Sequence, residues 1–431
     1  MRIAVVGSGI SGLASAWLLS RRHDVTLFEA GDYLGGHTHT HAVVVDEQPL
    51  SVDTGFIVFN PSHYPLLSRL FDELGVASQP TTMSFSVHNE QSGLEYNAGT
   101  LDGLFCQRRN LVSPRFLGMV RDILRFYRES PALLSEPGPG PSLGAYMAHH
   151  RYGQAFRDDH LVPMASALWS SAARTILDFP AKHLVQFMAN HQMLQVEGRP
   201  QWRVVSGGSA SYVRALADAW RVDSRLRCPV LAIERDGSGV TVRSRAGGER
   251  FDHVVLACHS DQALALLADA TEAERAVLGA IPYQRNTMVL HTDPRLLPRR
   301  RKAWAAWNAH VPAGPGAECT VSYCMNILQG LSARTPIVVT LNRDAAVDPS
   351  HVLRTATYQH PVFTAGAVAA QQRKSEIQGR GHTWFAGAYW GWGFHEDGMR
   401  SAVEVATALG VAWPGAGEAT AAPAGIQQVA A

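Results

Sequence analysis

The chain has 431 residues, of which 46% are apolar and 17% charged, with a formal net charge of +1. This composition predicts a folded protein with a large interior and excludes a wholly disordered chain. The length predicts about two domains, and the small net charge gives no indication of a nucleic-acid partner. Five scattered cysteines without a CxxC pair predict free thiols in a reducing compartment, with neither a disulfide framework nor a metal site.

The first thirty residues predict a strand, a glycine-rich loop, a helix and a second strand. An apolar run at residues 3–6 is typical of a buried parallel strand, and the loop at residues 7–12 follows it directly. In such a loop Gly7 permits the tight turn, Gly9 a close approach of the backbone to a pyrophosphate, and Gly12 tight packing of the helix. The helix N-terminus can bind phosphate, and Glu29 at the end of the second strand can accept hydrogen bonds from ribose hydroxyls. The order predicts a dinucleotide site, and a glycine-rich turn in another α/β protein is the alternative.

A second glycine pair follows Glu29. Gly35 and Gly36 permit another close approach to the pyrophosphate, and His37 and Thr38 come next. The run from residue 29 to residue 37 resembles the flavin-containing amine oxidase superfamily, which also holds phytoene desaturases, protoporphyrinogen oxidases and some fatty-acid isomerases. Within it, the chain is most similar to bacterial flavin-containing amine oxidases of unassigned substrate. The resemblance implies FAD.

The resemblance also implies further contacts with the cofactor. Gly55 and Phe56 match a stretch beside the flavin, Val230 matches a backbone clamp on adenine, and Ala257 lies in a strand similar to the family's D-x-V-V-x-A. Residues 382–402 resemble the closing strand, aromatic loop and helix, whose N-terminus would stabilise negative charge on the flavin pyrimidine. The cofactor-binding residues predicted in this way are Gly7, Gly9, Ser11, Gly12, Glu29, Gly35, Gly36, His37, Thr38, Gly55, Phe56, Val230, Ala257, Gly387, Asp397 and Met399.

The remaining patterns predict a two-part α/β fold. Hairpins are expected at 41–52 and 84–96, helices at 65–74, 114–134, 264–278 and 362–372, and an interrupted helical stretch from Ser142 to about 195. Further strands are expected at 227–233, 239–243, 251–258, 282–291, 318–325 and 337–341. We expect a Rossmann-like FAD domain formed by 1–62, 196–280 and 380–412, interleaved with an α+β substrate domain of 63–195 and 281–379 that has a mixed or antiparallel sheet. Residues 413–431 are expected to form a disordered tail.

Three residues are candidates for catalysis. His395 and Glu396 would lie next to the flavin by the resemblance and could move a proton, although an acid-rich helix start also indicates capping. His191 lies in an otherwise apolar helix, where a satisfied core histidine is the alternative.

The chain departs from the monoamine oxidases at two positions. No cysteine follows Cys324, so the resemblance implies non-covalent FAD. A lysine near flavin N5 would fall around Thr287 or Met288, and neither is lysine, which puts both amine oxidation and oxygen use in question. The aromatic loop 389–394 has three interpretations: it contacts a hydrophobic substrate, it forms an aromatic cage around an amine, or it only packs the interface between the domains.

We therefore expect an FAD-dependent oxidoreductase that transfers a hydride from an apolar, lipid-like substrate to flavin N5, by dehydrogenation or by isomerisation. The substrate in this hypothesis is either saturated or unsaturated. An oxygen-using amine oxidase and a non-catalytic flavin-binding partner subunit are the alternatives. Basic residues at 108–128 and 299–302 could contact membrane headgroups or an acidic substrate, or could form a solvated face. With no leader or membrane-spanning stretch in the sequence, we expect a cytoplasmic protein, with peripheral membrane contact open.

Overall fold

The computed structural model describes residues 1–169, 173–314 and 319–414. The strands of this part of the chain are β1 (Arg2–Val6), β2 (Asp24–Phe28), β3 (Thr40–Val45), β4 (Gln48–Asp53), β5 (Val58–Phe59), β6 (Ser78–Pro80), β7 (Phe85–Asn89), β8 (Leu94–Asn97), β9 (Arg203–Val205), β10 (Val222–Arg225), β11 (Val230–Asp236), β12 (Gly239–Ser244), β13 (Gly247–Phe251), β14 (His253–Leu256), β15 (Tyr283–His291), β16 (Trp307–Val311), β17 (Thr320–Cys324), β18 (Val338–Leu341), β19 (Val352–Pro361) and β20 (Thr383–Phe385). The α-helices are α1 (Ile10–Leu19), α2 (Pro65–Glu73), α3 (Leu101–Leu104), α4 (Pro114–Glu129), α5 (Leu143–His149), α6 (Gln154–Phe156), α7 (Val162–Trp169), α8 (Ala173–Asp178), α9 (Ala181–Asn190), α10 (Ala210–Ala219), α11 (Ser260–Leu266), α12 (Glu272–Leu278), α13 (Met325–Leu328), α14 (Ala365–Gln371) and α15 (His395–Ala408).

A five-stranded parallel sheet forms the centre of the part of the fold that contains the N-terminal glycine-rich loop. Its order is β10-β2-β1-β14-β20, with β1 in the middle. Ile3 and Val5 of β1 point into a core shared with α1 and α15, whereas Ala4 and Val6 point into a core shared with β11–β13, α11 and α12. Because both faces are covered, β1 needs an unbroken apolar run, which is the pattern seen in the sequence.

A seven-stranded mixed sheet forms the other half. Its order is β19-β15-β18-β17-β16-β7-β8, and only the β16–β7 pair within it is parallel. Helices α4 to α9 contribute to one core beside this sheet, and the β3–β4 hairpin contributes to another. The predicted α/β fold class with a mixed sheet is confirmed, whereas the division into two domains stays a prediction.

Four sequence predictions need correction. The helix expected at 264–278 is two helices, because Thr271 starts α12 with a capping box in which it exchanges hydrogen bonds with Glu274. The strand expected at 251–258 divides at Asp252, and strands β16 and β19 were not predicted. Trp413, expected in the disordered tail, is buried against Trp17 with ring centroids 5.4 Å apart. Residues 415–431 of that predicted tail lie outside the described residues.

Among the described residues, no helix has both the length and the apolar character needed to cross a membrane.

Candidate functional site

The glycine-rich loop between β1 and α1 has the shape of a phosphate cradle. Gly7 has φ +98°, and a Cβ at Gly12 would lie 1.8 Å from the carbonyl oxygen of Gly7, so a side chain cannot fit there. A Cβ at Gly9 would meet no atom within 4 Å. Open space therefore lies over Gly9, beside the N-terminus of α1.

Glu29 is held in place at the end of β2. One carboxylate oxygen accepts hydrogen bonds from the backbone N–H and the hydroxyl of Ser8, at 2.9 and 2.6 Å, and the other accepts from Gly31 N at 2.7 Å. The backbone N–H of Cys228 donates to Glu29 O at 2.8 Å, which brings the segment leading to Val230 beside the same acid. The predicted ribose and adenine contacts thus lie close together.

The second glycine loop packs directly on the first. Gly35 N donates to the carbonyl oxygen of Ser8 at 3.0 Å, and Gly36 approaches Gly9 so closely that a Cβ on Gly36 would lie 3.0 Å from Gly9 Cα. Phe56 N donates to His37 O at 2.8 Å, which places residues 55 and 56 alongside this loop. Segments separated in sequence therefore lie side by side, and the surface formed by residues 7–12, 35–38 and 55–56 is called the groove.

The carboxyl ends of the parallel strands meet at this groove. Ala257, directly after β14, donates from its N–H to Val6 O at 2.8 Å, and Gly387 follows β20 with its N–H donated to Ser401 Oγ at 2.8 Å. Ser11 is buried at the start of α1, where α15 crosses it. This edge of an open α/β sheet is where such folds bind ligands.

The start of α15 closes the groove. Asp397 accepts hydrogen bonds from the backbone N–H groups of Trp392 and Phe394, both at 3.0 Å, and from Arg400 at 3.1 Å. The Met399 side chain is fully buried in the core. Both predicted cofactor contacts therefore have side chains occupied inside the protein, which leaves their backbone atoms for any contact with a ligand.

His395 is fixed by three neighbours. Its ring stacks on Phe56 with centroids 3.8 Å apart, and its Nε2 lies 3.0 Å from the hydroxyl of Thr38. That hydroxyl is 2.5 Å from the phenol oxygen of Tyr212. Burial lowers the pKa of His395 to about 3, so the ring is neutral at physiological pH. Sequence reasoning missed Tyr212, because a buried tyrosine in an amphipathic helix carries no local functional signal.

Glu396 belongs to a structural contact. Its two carboxylate oxygens accept hydrogen bonds from Leu66 N and Leu67 N, at 2.9 and 3.0 Å, and so cap the N-terminus of α2. Burial raises the pKa of Glu396 to about 7. Because both oxygens are engaged by α2, the geometry favours the structural interpretation of Glu396 over a role in proton transfer.

His191 lies in an aromatic cluster, formed with His63, Phe187, Trp392 and Phe394, that faces the start of α15. Its ring centroid is 4.1 Å from that of Phe187, 5.0 Å from His63, 5.9 Å from Phe394 and 6.2 Å from Trp392. Its Nδ1 is 2.9 Å from Phe187 O, and burial lowers its pKa to about 4. His191 is therefore a neutral member of an aromatic wall that is half-exposed at Trp392 and Phe394.

A second group of rings surrounds His37 and was not predicted. His360 and Tyr358 lie 5.2 Å from it between centroids, and His259 lies 6.0 Å away. Burial lowers the pKa of His37 well below its usual value, and that of His360 to about 4. In the described part of the chain, no group of three or more histidine, cysteine or acidic residues has the geometry to hold a metal ion.

These features fit a dinucleotide cofactor. The open space over Gly9, the N-terminus of α1 and the fixed acid Glu29 provide, in order, a pyrophosphate approach, N–H donors and a ribose acceptor. The fold and groove define a nucleotide-binding α/β protein with a second, mixed sheet.

Comparison with known proteins identifies the family. Residues 10–297 match the family model described as flavin containing amine oxidoreductase. The chain belongs to this family, which confirms the resemblance predicted from the sequence, and the family implies FAD as the cofactor.

The chain is similar to proteins with several different activities. It is 30% identical over 327 residues to hydroxyneurosporene desaturase from Rubrivivax gelatinosus, and the match covers 67% of this chain and 59% of that protein. Its fold is similar to cyclohexylamine oxidase from Brevibacterium oxydans, with a TM-score of 0.68, 18% identity, and coverage of 95% and 98% of the two chains. It is also similar to the CLA-producing fatty acid isomerase from P. acnes, with a TM-score of 0.67, 16% identity, and coverage of 94% and 98%. The chain spans less than two-thirds of the curated desaturase, and the two solved structures show the fold alone.

Proposed function

We propose that this chain is an FAD-dependent oxidoreductase that binds FAD non-covalently and transfers a hydride from an apolar, lipid-like substrate to flavin N5. When bound, FAD supplies a two-electron acceptor. In a dehydrogenation the substrate would lose a hydride from one carbon to the cofactor and a proton from the neighbouring carbon to solvent, with a C=C bond formed, whereas in an isomerisation the hydride would return to another carbon of the same molecule. Because such a substrate partitions into membranes, the proposal includes peripheral membrane contact.

The observation that carries this proposal is the aromatic cluster beside α15. Trp392 and Phe394 are half-buried just before the start of α15, and they pack against Phe187 and a neutral His191. An aromatic wall without a charged side chain favours an alkyl chain over a charged substrate. The desaturase and the fatty acid isomerase to which the chain is similar support the same choice.

The lysines of the chain support a reaction that does not depend on oxygen. The chain has three lysines, and each has a partner elsewhere: Lys182 donates to Glu136 O, Lys302 pairs with Asp102, and Lys374 pairs with Glu404. At the positions expected for an N5 lysine, the Thr287 hydroxyl donates to Asp344 at 3.0 Å and Met288 is fully buried.

The residues around the cofactor groove have positioning roles in this proposal. The N-terminus of α15 directs its positive dipole end toward the groove. His395 is neutral and is held in place by Thr38 and Phe56, so it would contact the cofactor from a fixed position without adding charge. The aromatic cluster excludes water from the reacting carbon.

An amine oxidase is the second candidate, because an aromatic wall can also hold an amine by cation–π interaction. The fold similarity to cyclohexylamine oxidase is compatible with it. The two candidates predict different substrates for reduction of the flavin.

The experiment is anaerobic titration of the FAD-loaded protein with fatty acids, phospholipids, polyenes and amines, followed by the visible flavin band and by product analysis. We expect an acyl or polyene substrate to bleach the band, or to isomerise without bleaching, and amines to do neither. Trp392→Ala should raise KM for that substrate by about tenfold through lost apolar contact, whereas the control Trp220→Ala, at a half-buried position after α10, should not. Bleaching by an amine, with hydrogen peroxide on admission of air, would establish the amine oxidase instead.

A further inference from the structure

Exposed apolar side chains are concentrated in one short part of the chain. Of the eleven large hydrophobic residues exposed in the described structure, five lie between residues 101 and 124. Two of them, Val112 and Leu101, are 80% and 77% exposed. Single exposed apolar residues are ordinary, but a group of five on neighbouring turns marks a contact surface.

The outer face of α4 combines this apolar character with positive charge. Leu117, Arg121, Leu124 and Arg128 follow one another at spacings of four, three and four residues, so they form one stripe, and all four are exposed. The opposite face of α4, with Phe116, Met119 and Phe126, packs in the helical core. Alternating leucine and arginine on an exposed stripe is the arrangement of interfacial helices.

A cavity of about 760 Å³ lies at the turn Arg108–Val112, which precedes α4 in the chain and packs against it. Four arginines line it, from the turn Arg108–Val112 and from the loop before the turn Arg301–Ala303: Arg108, Arg109, Arg299 and Arg300. The two turns are joined because Asp102 of α3 pairs with both Arg108 and Lys302. The exposed Leu101 and Val112 belong to the same two segments, α3 and the turn Arg108–Val112, that this ion pair joins.

The acids of this cavity are already engaged with other groups. Glu95 is buried and accepts hydrogen bonds from the backbone N–H groups of Arg299 and Arg300, at 2.7 and 3.2 Å. Glu90 lies 3.0 Å from His310 Nε2 and accepts from Ala313 N at 3.1 Å. Four arginines and two glutamates line the cavity, with Arg108 paired to Asp102 and Arg300 Nε 3.8 Å from Glu95, so the lining has an excess of positive charge on a chain whose total net charge is only +1.

We propose that this face, consisting of α3, the turn Arg108–Val112, the outer stripe of α4 and the arginine-lined cavity, docks on an anionic phospholipid surface. The cavity receives a lipid phosphate through its arginines, and the exposed leucine and valine side chains enter the interface. The aliphatic residues between the arginines distinguish this surface from a nucleic-acid site, which would present aromatic or polar groups to bases. The inference rests on the proposed function, since a lipid-like substrate lies in the membrane that this face contacts.

The test is co-sedimentation of the FAD-loaded protein with vesicles of phosphatidylcholine, with and without phosphatidylglycerol. We expect binding that requires phosphatidylglycerol and weakens as salt rises. The double variant Arg121→Glu/Leu124→Asp should lower the partition coefficient by about tenfold or more, because it reverses one charge and removes one apolar contact. Arg299→Gln/Arg300→Gln should weaken binding to a similar extent.

The matched control is Val44→Asp/Arg245→Glu, which makes the same kind of change at two exposed positions away from this face and should bind as the wild type does. Equal binding to both vesicles, or unchanged binding of the α4 variant, would overturn the docking proposal. So would binding of inorganic phosphate at Arg299 and Arg300 without vesicle binding, or a protein partner that competes for the stripe.

The two proposals fail separately. The flavin titration uses substrate dispersed in detergent, so it does not depend on binding to vesicles. If fatty acids reduce the flavin of the wild-type protein but the protein does not bind vesicles, the proposed function stands and only the docking proposal is overturned. Vesicle binding by a protein whose flavin responds only to amines would give the opposite result.

Discussion

Replacing Gly9 by alanine should separate cofactor binding from folding. Gly9 has φ −62° and ψ 176°, which alanine adopts without strain, and a Cβ there would meet no protein atom within 4 Å. The apo protein should therefore keep its free energy of unfolding or gain up to about 1 kcal/mol, because alanine restricts the unfolded chain. The structure gives no reason for the variant to misfold.

Binding of FAD should respond differently. The new methyl group would occupy the space through which a pyrophosphate approaches the backbone at the N-terminus of α1. Displacing the phosphate would weaken at least one hydrogen bond to a charged group, worth about 1.5–3 kcal/mol. That loss corresponds to an increase in Kd for FAD of about 10- to 150-fold.

The measurement is titration of the apo protein with FAD by flavin fluorescence or calorimetry, together with thermal unfolding of the apo form. Gly118→Ala is the matched control, because a Cβ at Gly118 on α4 also meets no atom within 4 Å, and we expect its Kd to be unchanged. Gly12→Ala should instead lose both stability and binding, because its Cβ would lie 1.8 Å from Gly7 O. A Gly9→Ala protein that binds FAD as tightly as the wild type would refute the placement of the pyrophosphate over Gly9.

Three further predictions concern the packing around the groove. Burial raises the pKa of Glu396 to about 7 from 4.5, so its contribution to stability is present below about pH 4.5 and is lost as the pH rises through 7. This loss is at most about 3 kcal/mol in the free energy of unfolding, and Glu396→Gln should therefore flatten the fall in Tm over this pH range. Equal slopes of Tm against pH in the wild type and the variant would contradict the assignment. Tyr212→Phe should lower stability by about 1–2 kcal/mol, with His395 still held by Thr38 and the FAD content unchanged, and an unaltered Tm would show that the phenol bond is absent. Trp413→Ala should cost about 3–5 kcal/mol of stability, most of it regained in Trp413→Phe, and a Tm equal to that of the wild type would show that this residue is not packed in solution.

Sequence reasoning missed β16 and β19, among other strands, although β16 alternates apolar and polar residues as a half-buried strand does. β19 is an edge strand, paired on one side with β15, and most of its residues are exposed or half-exposed. β16 is a central strand, but it buries Asn308 and His310, whose polar groups bond to Ser322 O and to Glu90 across the sheet. In both strands the stabilising partners lie outside the local sequence, so a short run of five to ten residues did not by itself distinguish a strand from a loop.

The conformation of the glycine-rich loops was predictable from local sequence, whereas contacts that depend on distant partners were not. The loops at 7–12 and 35–38 each carry their glycines within a few residues, because each makes one tight backbone turn. Glu396 looked like a cap for its own helix, yet it caps α2, whose N-terminus lies about 330 residues earlier in the chain. Tyr212 likewise contacts Thr38 from a helix that local periodicity identifies only as amphipathic.

The start of α15 links the cofactor groove to the aromatic cluster. His395 contacts Phe56 and Thr38 in the groove, Glu396 holds α2, and Asp397 fixes the backbone of Trp392 and Phe394 in the aromatic wall. Three consecutive side chains thus point to three different parts of the site, as successive helical positions separated by about 100° must. Because these contacts are buried or part-buried hydrogen bonds and a ring stack, a displacement of this helical turn would move the glycine-rich loops and the aromatic cluster together. Under the proposed function, this single turn of helix would therefore set the spacing between the cofactor loops and the substrate, so neutral positioning residues would suffice where FAD supplies the chemistry.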